Sequence, residues 1–154
     1  MREILFRGKR LDNGEWTEGY LLEQNTPSYN AYVVPHIMIE QDNRHTDILE
    51  HEIEEVDPAT VGQYTGLTDK NGKRIFEGDI LTIARKTDGI GTYYVPTLVS
   101  PVHVVVKWDF CGWMWETLCE DKRYLHFPDA WCYFECEVIG NIHDNPELLE
   151  VCDD

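Results

Sequence analysis

The sequence predicts a mainly β protein with a small barrel-like (SH3-like) sheet core, built from hairpins and followed by a short C-terminal helix. Three observations predict this fold. Asn-Gly pairs at positions 13–14 and 71–72 mark tight turns, glycines interrupt the segments around the second pair, and several segments alternate apolar and polar residues. The alternation is the period of a strand that buries one face. Glycines supply the sharp corners that a small barrel needs.

The central hairpin, residues 61–81, is the element around which we expect the chain to be organised. Its Asn-Gly pair tolerates the positive φ angles of a type I′ turn, so two strands should pair across it. Glu77-Gly78-Asp79 then interrupts the second strand with another bend. Asp79 is the carboxylate most readily considered as a catalytic residue, because a bend can point its side chain towards a substrate. A structural role explains this residue better, in which its short side chain accepts hydrogen bonds from the backbone amides of that turn.

Two further hairpins flank the central one. The first Asn-Gly pair separates segment 4–10 from segment 16–22, which can return as its partner strand. Segment 102–108 alternates so that its valines and Trp108 share one face, and segment 113–118 is aromatic enough to form a core wall. His103 lies among those valines and is interpreted as an outward-facing strand residue.

The end of the chain predicts a strand followed by a helix. Residues 131–142 form the last predicted strand, with Gly140 at a bend. Asn145 is a favourable N-cap and Pro146 suits the first helical position. Glu147 is favourable near the positive end of the helix dipole. We therefore expect a short helix to begin at this point.

The composition predicts two regions within one cooperative unit. Residues 1–56 are an N-terminal β-hairpin region with an acidic flank, and residues 57–154 are a C-terminal barrel-like domain that ends in the short helix. The flank, residues 40–57, carries eight acidic residues against the single Arg44. It is interpreted as a solvated surface segment.

The charge balance excludes some partners. The chain has 154 residues, and 13 basic against 29 acidic residues give a net charge of −16. Binding to nucleic acid or to anionic membranes needs a cationic face, so neither is expected directly. No apolar run approaches the roughly 20 residues of a membrane helix. The start of the chain also lacks the features of a secretory signal, so we expect a cytoplasmic protein.

Two groups of residues raise the question of a metal. Zinc is suggested by the thiols and one imidazole of Cys111, Cys119, His126, Cys132 and Cys136. However, no two cysteines show the usual two-residue gap, and positions 132 and 136 of an extended strand lie about 13 Å apart. The five cysteines of the chain are therefore interpreted as reduced thiols. We expect no metal and no cofactor.

A second group, His45, Asp47, His51 and Glu55, could collect a divalent cation or supply acid and base groups. An acid-rich surface produces such groupings by chance. The sequence contains no nucleophile elbow, no phosphate-binding glycine loop and no zinc-protease motif. No catalytic residues are assigned, and the protein is predicted not to be an enzyme.

Three blocks of sequence carry a family resemblance. MREILFRGKRLDNGEWTEGYL, DPATVGQYTGLTDKNGKRIFEGDIL and EVIGNIHDNPELLE, in this order, resemble the YopX family of phage and prophage proteins. The resemblance implies a bacterial or phage origin, a mostly β fold with a barrel-like C-terminal half, and a cytoplasmic location. It implies no known activity and no catalytic residues. The matching residues are mainly turn formers and caps: Gly62, Tyr64, Thr65, Gly66, Asn71, Gly72, Phe76, Gly78, Asp79, Gly140, Asn141, Asn145 and Pro146.

Function is therefore expected to reside in a surface. The leading hypothesis is a non-catalytic protein-binding module that contacts a host or phage protein through sheet edges, aromatic surface or the acidic flank. One alternative is an acidic mimic of nucleic acid that blocks a DNA-binding protein. Another is a small hydrolase that uses His with Asp or Glu. Self-association through edge strands, giving a homo-oligomer, is a further option.

Overall fold

The computed structural model describes residues 3–24, 30–34, 53–85, 102–109, 112–118, 124–126 and 134–149. The chain divides into two compact units, Met1–Tyr64 and Thr65–Asp154. Composition predicts a division after residue 56, but most of the acidic flank on which that prediction depends lies outside the described residues. None of the described helices is long and apolar enough to cross a membrane.

The first unit is an antiparallel sheet with the strand order β4-β3-β2-β1-β5. Lys9 and Trp16 are register partners at the end of the first hairpin, whose prediction is confirmed. Val33 and Val56 are fully buried in the small apolar cluster of this unit, and Ala31 joins them. The strands are β1 (Phe6–Lys9), β2 (Trp16–Gln24), β3 (Asn30–Val34), β4 (Glu54–Val56) and β5 (Gly62–Thr68).

This sheet curls so that β4 approaches the end of β1. Arg10 and Val56 share a single bridge rather than a ladder, and the Asp57 amide donates to the Lys9 carbonyl oxygen at 2.8 Å. Gly8 makes the approach feasible, because a Cβ atom there would lie 2.8 Å from Val56 Cβ. Glycine in a strand often marks such a close contact.

We predict that Gly8→Ala destabilises the protein by about 1–3 kcal/mol, the usual cost of forcing extra volume into a packed site. Urea denaturation followed by circular dichroism measures the change. Gly112→Ala is the matched control, since a Cβ at Gly112 meets no atom within 4 Å. Equal midpoints for Gly8→Ala and wild type would show that β1 and β4 do not pack this closely.

The described residues of the second unit contain the end of β5 and six further strands. Its main sheet is antiparallel with the order β10-β9-β8-β7-β11. The predicted hairpin of β8 and β9 is confirmed, and the predicted last strand is present with a register shift between Val138 and Gly140. The strands are β6 (Arg74–Phe76), β7 (Asp79–Arg85), β8 (Val102–Asp109), β9 (Gly112–Thr117), β10 (Tyr124–His126) and β11 (Phe134–Asn141).

One face of this sheet carries the larger core. Val104 and Val106 lie there as alternation predicts, and Trp115 is fully buried beside them. Val105, on the other face, is only 3% exposed. Strand β8 is therefore covered on both faces at its centre, so the prediction of a single buried face is incomplete.

Two parts of the predicted architecture are not confirmed. The described strands form two antiparallel sheets and no closed barrel. The expected C-terminal helix is a four-residue 3-10 turn, Pro146–Leu149, and the described residues contain no α-helix. This turn is closed by the i→i+3 hydrogen bond from the Leu148 amide to the Asn145 carbonyl oxygen at 3.0 Å. Asn145 Oδ1 accepts from the Asn141 amide at 3.3 Å instead of capping an α-helix.

The central turn is present, but its type differs from the prediction. The Gly72 amide donates to the Asp69 carbonyl oxygen at 3.0 Å, and Gly72 follows at a φ of 82°. The turn therefore spans Asp69–Gly72 and holds three residues between Asp69 and Lys73, one more than the predicted two-residue turn, with the left-handed glycine at its end. The Asp69 side chain selects it, because its Oδ1 accepts from the amides of Asn71 at 2.8 Å and Lys73 at 2.9 Å.

The same turn is attached to strand β11, at one edge of the second sheet. Asp69 Oδ2 accepts from the Val138 amide at 3.1 Å, and the Lys70 amide donates to the Cys136 carbonyl oxygen at 3.0 Å. Lys70 also forms an ion pair with Glu137 at 2.5 Å. The central turn, which the sequence predicts only as a chain reversal, thus also binds the edge strand β11 through hydrogen bonds and an ion pair.

Candidate functional site

A pocket of about 600 Å³ opens in the second unit. This volume falls within the range of roughly 300–1,000 Å³ that is usual for ligand sites. Three segments line it: the turn before β7, the β8–β9 hairpin, and the turn that follows β11. Its wall includes Gly78, Val105, Lys107, Glu116, Ile142 and Leu149.

The hairpin register determines which side chains face the pocket. Val105 is the partner of Glu116, and Lys107 is the partner of Met114. Directly opposed residues of an antiparallel pair lie on the same face. Val106 and Trp115 form the intervening pair on the core face. Glu116 and Lys107 are therefore neighbours on the face away from that core.

The turn at Gly78 joins the three segments. Its φ of 80° is one that glycine adopts readily. The Gly78 amide donates to the Val106 carbonyl oxygen, and the Ile142 amide donates to the Gly78 carbonyl oxygen, both at 2.9 Å. A Cβ atom at Gly78 would lie 3.4 Å from Ile142 Cδ1. The predicted bend at this position is thus confirmed, and it forms part of the pocket.

The turn after β11 is organised by Asn141. Its Oδ1 accepts from the amides of His143 at 2.9 Å and Asp144 at 3.0 Å. Its Nδ2 donates to Asp144 Oδ2 at 2.9 Å. These bonds close the chain into the turn that brings Ile142 and Leu149 to the pocket wall.

The pocket contains a buried charge pair. Glu116 forms an ion pair with Lys107, and the exposed fractions of the two side chains are 6% and 50%. A carboxylate with so little access to water requires a charged or hydrogen-bonding partner. Glu77 is a second carboxylate on the wall. The site therefore combines apolar walls with two acids and one base.

Two large apolar residues that line the pocket are also accessible from outside. Trp108 is 51% exposed and Leu149 is 37% exposed. The Trp108 ring meets Trp113 edge-on, with ring centroids 5.0 Å apart. Trp113 is 8% exposed and belongs to the core cluster. This contact anchors an otherwise accessible tryptophan.

The two single residues considered in the sequence have structural surroundings. Asp79 is 1% exposed, and its Oδ2 accepts from the Phe76 amide at 2.8 Å. This is the turn acceptor that the sequence favours over a catalytic carboxylate. His103 is half-buried on β8 and pairs in register with Thr82.

The two groups considered for metal binding are only partly described. Glu55 is exposed on β4, whereas His45, Asp47 and His51 lie outside the described residues. Cys136 is a buried residue of the core cluster. The other three cysteines of that group and the His126 side chain also lie outside the described part. Within that part, no three His, Cys, Asp or Glu residues group as metal ligands would.

Lys107, Glu116 and Leu149 were missed by sequence analysis. The hairpin itself was predicted, but pairing Lys107 with Glu116 requires its register, and residues 110–111 of the connection carry no Asn-Gly signal. Leu149 reaches the site only through the turn at Asn141. The available signal was the presence of one acid and one base on the two strands of a predicted hairpin.

The fold and the pocket define a mainly β protein of two antiparallel sheets with an accessible apolar site. A family profile described as YopX protein matches residues 5–150. The chain therefore belongs to the YopX family, which confirms the resemblance of the three sequence blocks.

A solved structure shares the fold. It is described as the crystal structure of protein EF1440 from Enterococcus faecalis. The likeness has a TM-score of 0.50 and 24% sequence identity, and it covers 97% of this chain and 100% of that one. A comparison with curated proteins found no match.

The second and third family blocks meet at the pocket. Asp79 of the second block and Asn141 of the third are register partners, and Gly78 bonds to Ile142 as described above. Turn-forming residues that match the family thus assemble one wall of this site.

Proposed function

We propose that this protein is a phage-encoded accessory protein that acts in the bacterial cytoplasm as a non-catalytic protein-binding module. The observation that carries the proposal is the accessible apolar surface at the pocket wall, where Leu149 is 37% exposed beside Val105, Leu118 and Ile142. Exposed apolar residues gathered at a concave site are typical of a docking surface.

The charges of the site favour binding over the two alternatives. Glu116 and Lys107 neutralise each other, whereas a hydrolase needs an acid or base aimed at substrate. A nucleic-acid mimic needs its carboxylates on the surface, and three of the 29 acidic residues, Asp69, Asp79 and Glu116, are buried and cannot imitate phosphates. Asp69 and Asp79 accept backbone hydrogen bonds instead. These carboxylates support the fold.

We predict that the immobilised wild-type chain captures a protein from bacterial host lysate, and that the immobilised Leu149→Ser variant captures much less of it. Removing an apolar contact at the centre of an interface weakens binding by about tenfold or more when that contact is dominant. Mass spectrometry identifies the captured protein, and titration of the purified partner by calorimetry gives the ratio of dissociation constants.

Leu11→Ser is the matched control, because Leu11 is 60% exposed in the first unit and the substitution is identical. It should leave the dissociation constant unchanged. A partner that binds wild type and Leu149→Ser equally well would refute the proposed site. Repeated failure to capture any partner would refute the proposed function.

A further inference from the structure

We infer that the pocket of the second unit receives a basic side chain of the partner, flanked by an apolar residue. This inference rests on the proposed protein-binding function and specifies the chemistry of the occupant. It is carried by the ionisable groups on the pocket wall, by their unequal exposure, and by the apolar surface around them.

The pocket wall carries an excess of negative charge. Among the described residues of the wall, Glu77 and Glu116 are acidic and Lys107 is basic, which gives them a formal charge of −1 (two acids against one base). The whole chain carries −16. Such a field attracts cationic groups and repels anionic ones over several ångströms. A basic segment is therefore the complementary partner.

The ion pair in the pocket can exchange its cation. Glu116 is fixed in place and 6% exposed, whereas Lys107 is 50% exposed. The lysine ammonium can therefore be hydrated once another cation takes its place at Glu116. The carboxylate cannot, because leaving a buried charge without compensation is expensive. An incoming ammonium or guanidinium group can thus take or share the place of Lys107.

The apolar walls suit the rest of a basic side chain. Val105, Leu118 and Leu149 line the site together with the charge pair. Lysine and arginine pack their aliphatic stems against such surface while their charged ends seek a polar partner. A volume of about 600 Å³ leaves room for a neighbouring apolar side chain. An arginine or lysine beside a leucine-like residue fits both features.

The alternative is that the same pocket receives an acidic side chain of the partner, which would pair with Lys107. That reading requires Lys107 to leave Glu116, and a second carboxylate to approach Glu77 and Glu116 against the charge of the chain. Like charges brought together at an interface disfavour association. The basic occupant is the one that the pocket favours.

The test uses the full chain and three short peptides as probes: acetyl-Leu-Arg-Leu-amide, its citrulline analogue, which keeps the shape without the charge, and acetyl-Leu-Glu-Leu-amide. Titration is followed by ¹H–¹⁵N NMR at the amides of Lys107, Glu116 and Leu118. The arginine peptide is expected to bind in the millimolar range, and the citrulline peptide about fivefold more weakly or worse.

Variants report on the same exchange. Glu116→Gln should reduce binding of the arginine peptide to the level of the citrulline peptide. Lys107→Met should strengthen it, because it removes the competing cation. Glu137→Gln is the matched control, since it removes the carboxylate from another Lys–Glu pair of the same unit, with Lys70. Each variant's spectrum shows whether it folds, and the citrulline comparison needs no variant.

The outcomes separate this inference from the proposed function. Equal binding of the arginine and citrulline peptides, or tighter binding of the glutamate peptide, would overturn the basic occupant. Capture of a partner that depends on Leu149 would still support the binding module in that case. If Leu149→Ser also leaves capture unchanged, both fail. Shifts confined to residues outside the pocket would likewise overturn the inference.

Discussion

Replacement of Trp115 by alanine is expected to destabilise the second unit by about 3–5 kcal/mol, the range observed when a buried aromatic side chain is truncated. Trp115 is fully buried, and it is the largest of the completely buried side chains among the described residues. It packs with Val104, Val106 and Ile75 in the main core cluster. The loss combines the lost burial of apolar surface with the cavity that remains.

Guanidinium denaturation followed by tryptophan fluorescence and by circular dichroism measures the Trp115→Ala effect. Trp108→Ala is the matched control, because Trp108 is 51% exposed and its main loss is the edge-on contact with Trp113. Such aromatic contacts contribute about 0.5–1.5 kcal/mol. Similar losses for the two variants would contradict the assignment of Trp115 to the core and of Trp108 to the surface.

The second large effect is expected for Asp69→Ala, at about 2–4 kcal/mol. Asp69 is 6% exposed, and its carboxylate accepts from the amides of Asn71, Lys73 and Val138. Hydrogen bonds to a charged group contribute about 1.5–3 kcal/mol, and removing the acceptor leaves the donors unsatisfied. Urea denaturation gives the total, and hydrogen exchange of the Val138 amide gives the local loss.

The effect of Asp69 should depend on pH. Burial raises the pKa of Asp69, but the three amide hydrogen bonds lower it by more, so the pKa lies below its ordinary value of 3.8. A depressed pKa contributes stability that is complete above 3.8 and is lost as the pH falls through the folded-state value. The difference between wild type and Asp69→Ala should therefore be constant near neutral pH and shrink below 3.8.

Asp12→Ala is the control for this experiment. Asp12 lies in the first hairpin turn and pairs with Arg10 at 2.6 Å, with its side chain 63% exposed. The same substitution there should change the denaturation midpoint little, because exposed ion pairs contribute little. If Asp69→Ala behaves like Asp12→Ala at every pH, the carboxylate does not hold the central turn to β11.

The hairpins were predictable because their signals are local. Asn71-Gly72 can be accommodated in few backbone conformations, and alternation over residues 102–108 places valines on one side of a strand whatever it pairs with. The type of the central turn was not predictable in the same way. It depends on Asp69, whose Oδ2 is committed to Val138, a residue 69 positions away along the chain.

The candidate site was beyond sequence analysis for a related reason. Glu116 and Lys107 are ordinary surface residues in the sequence, and the hairpin register alone makes them neighbours. Burial of Val105 requires covering groups on the second face of β8, which alternation cannot reveal. The helix predicted at Pro146 is not confirmed, because a favourable cap and a proline at the first position indicate where a helix begins but do not distinguish an α-helix from a 3-10 turn.

The attachment of the central turn to β11 has a consequence for assembly. Strands at the border of a sheet expose backbone groups onto which another chain can add, and this is how many aggregates and fibres grow. Here the Cys136 carbonyl and the Val138 amide are already taken by Lys70 and Asp69. The turn thus prevents another strand from adding to this part of β11. Its removal would expose backbone groups onto which further chains could polymerise.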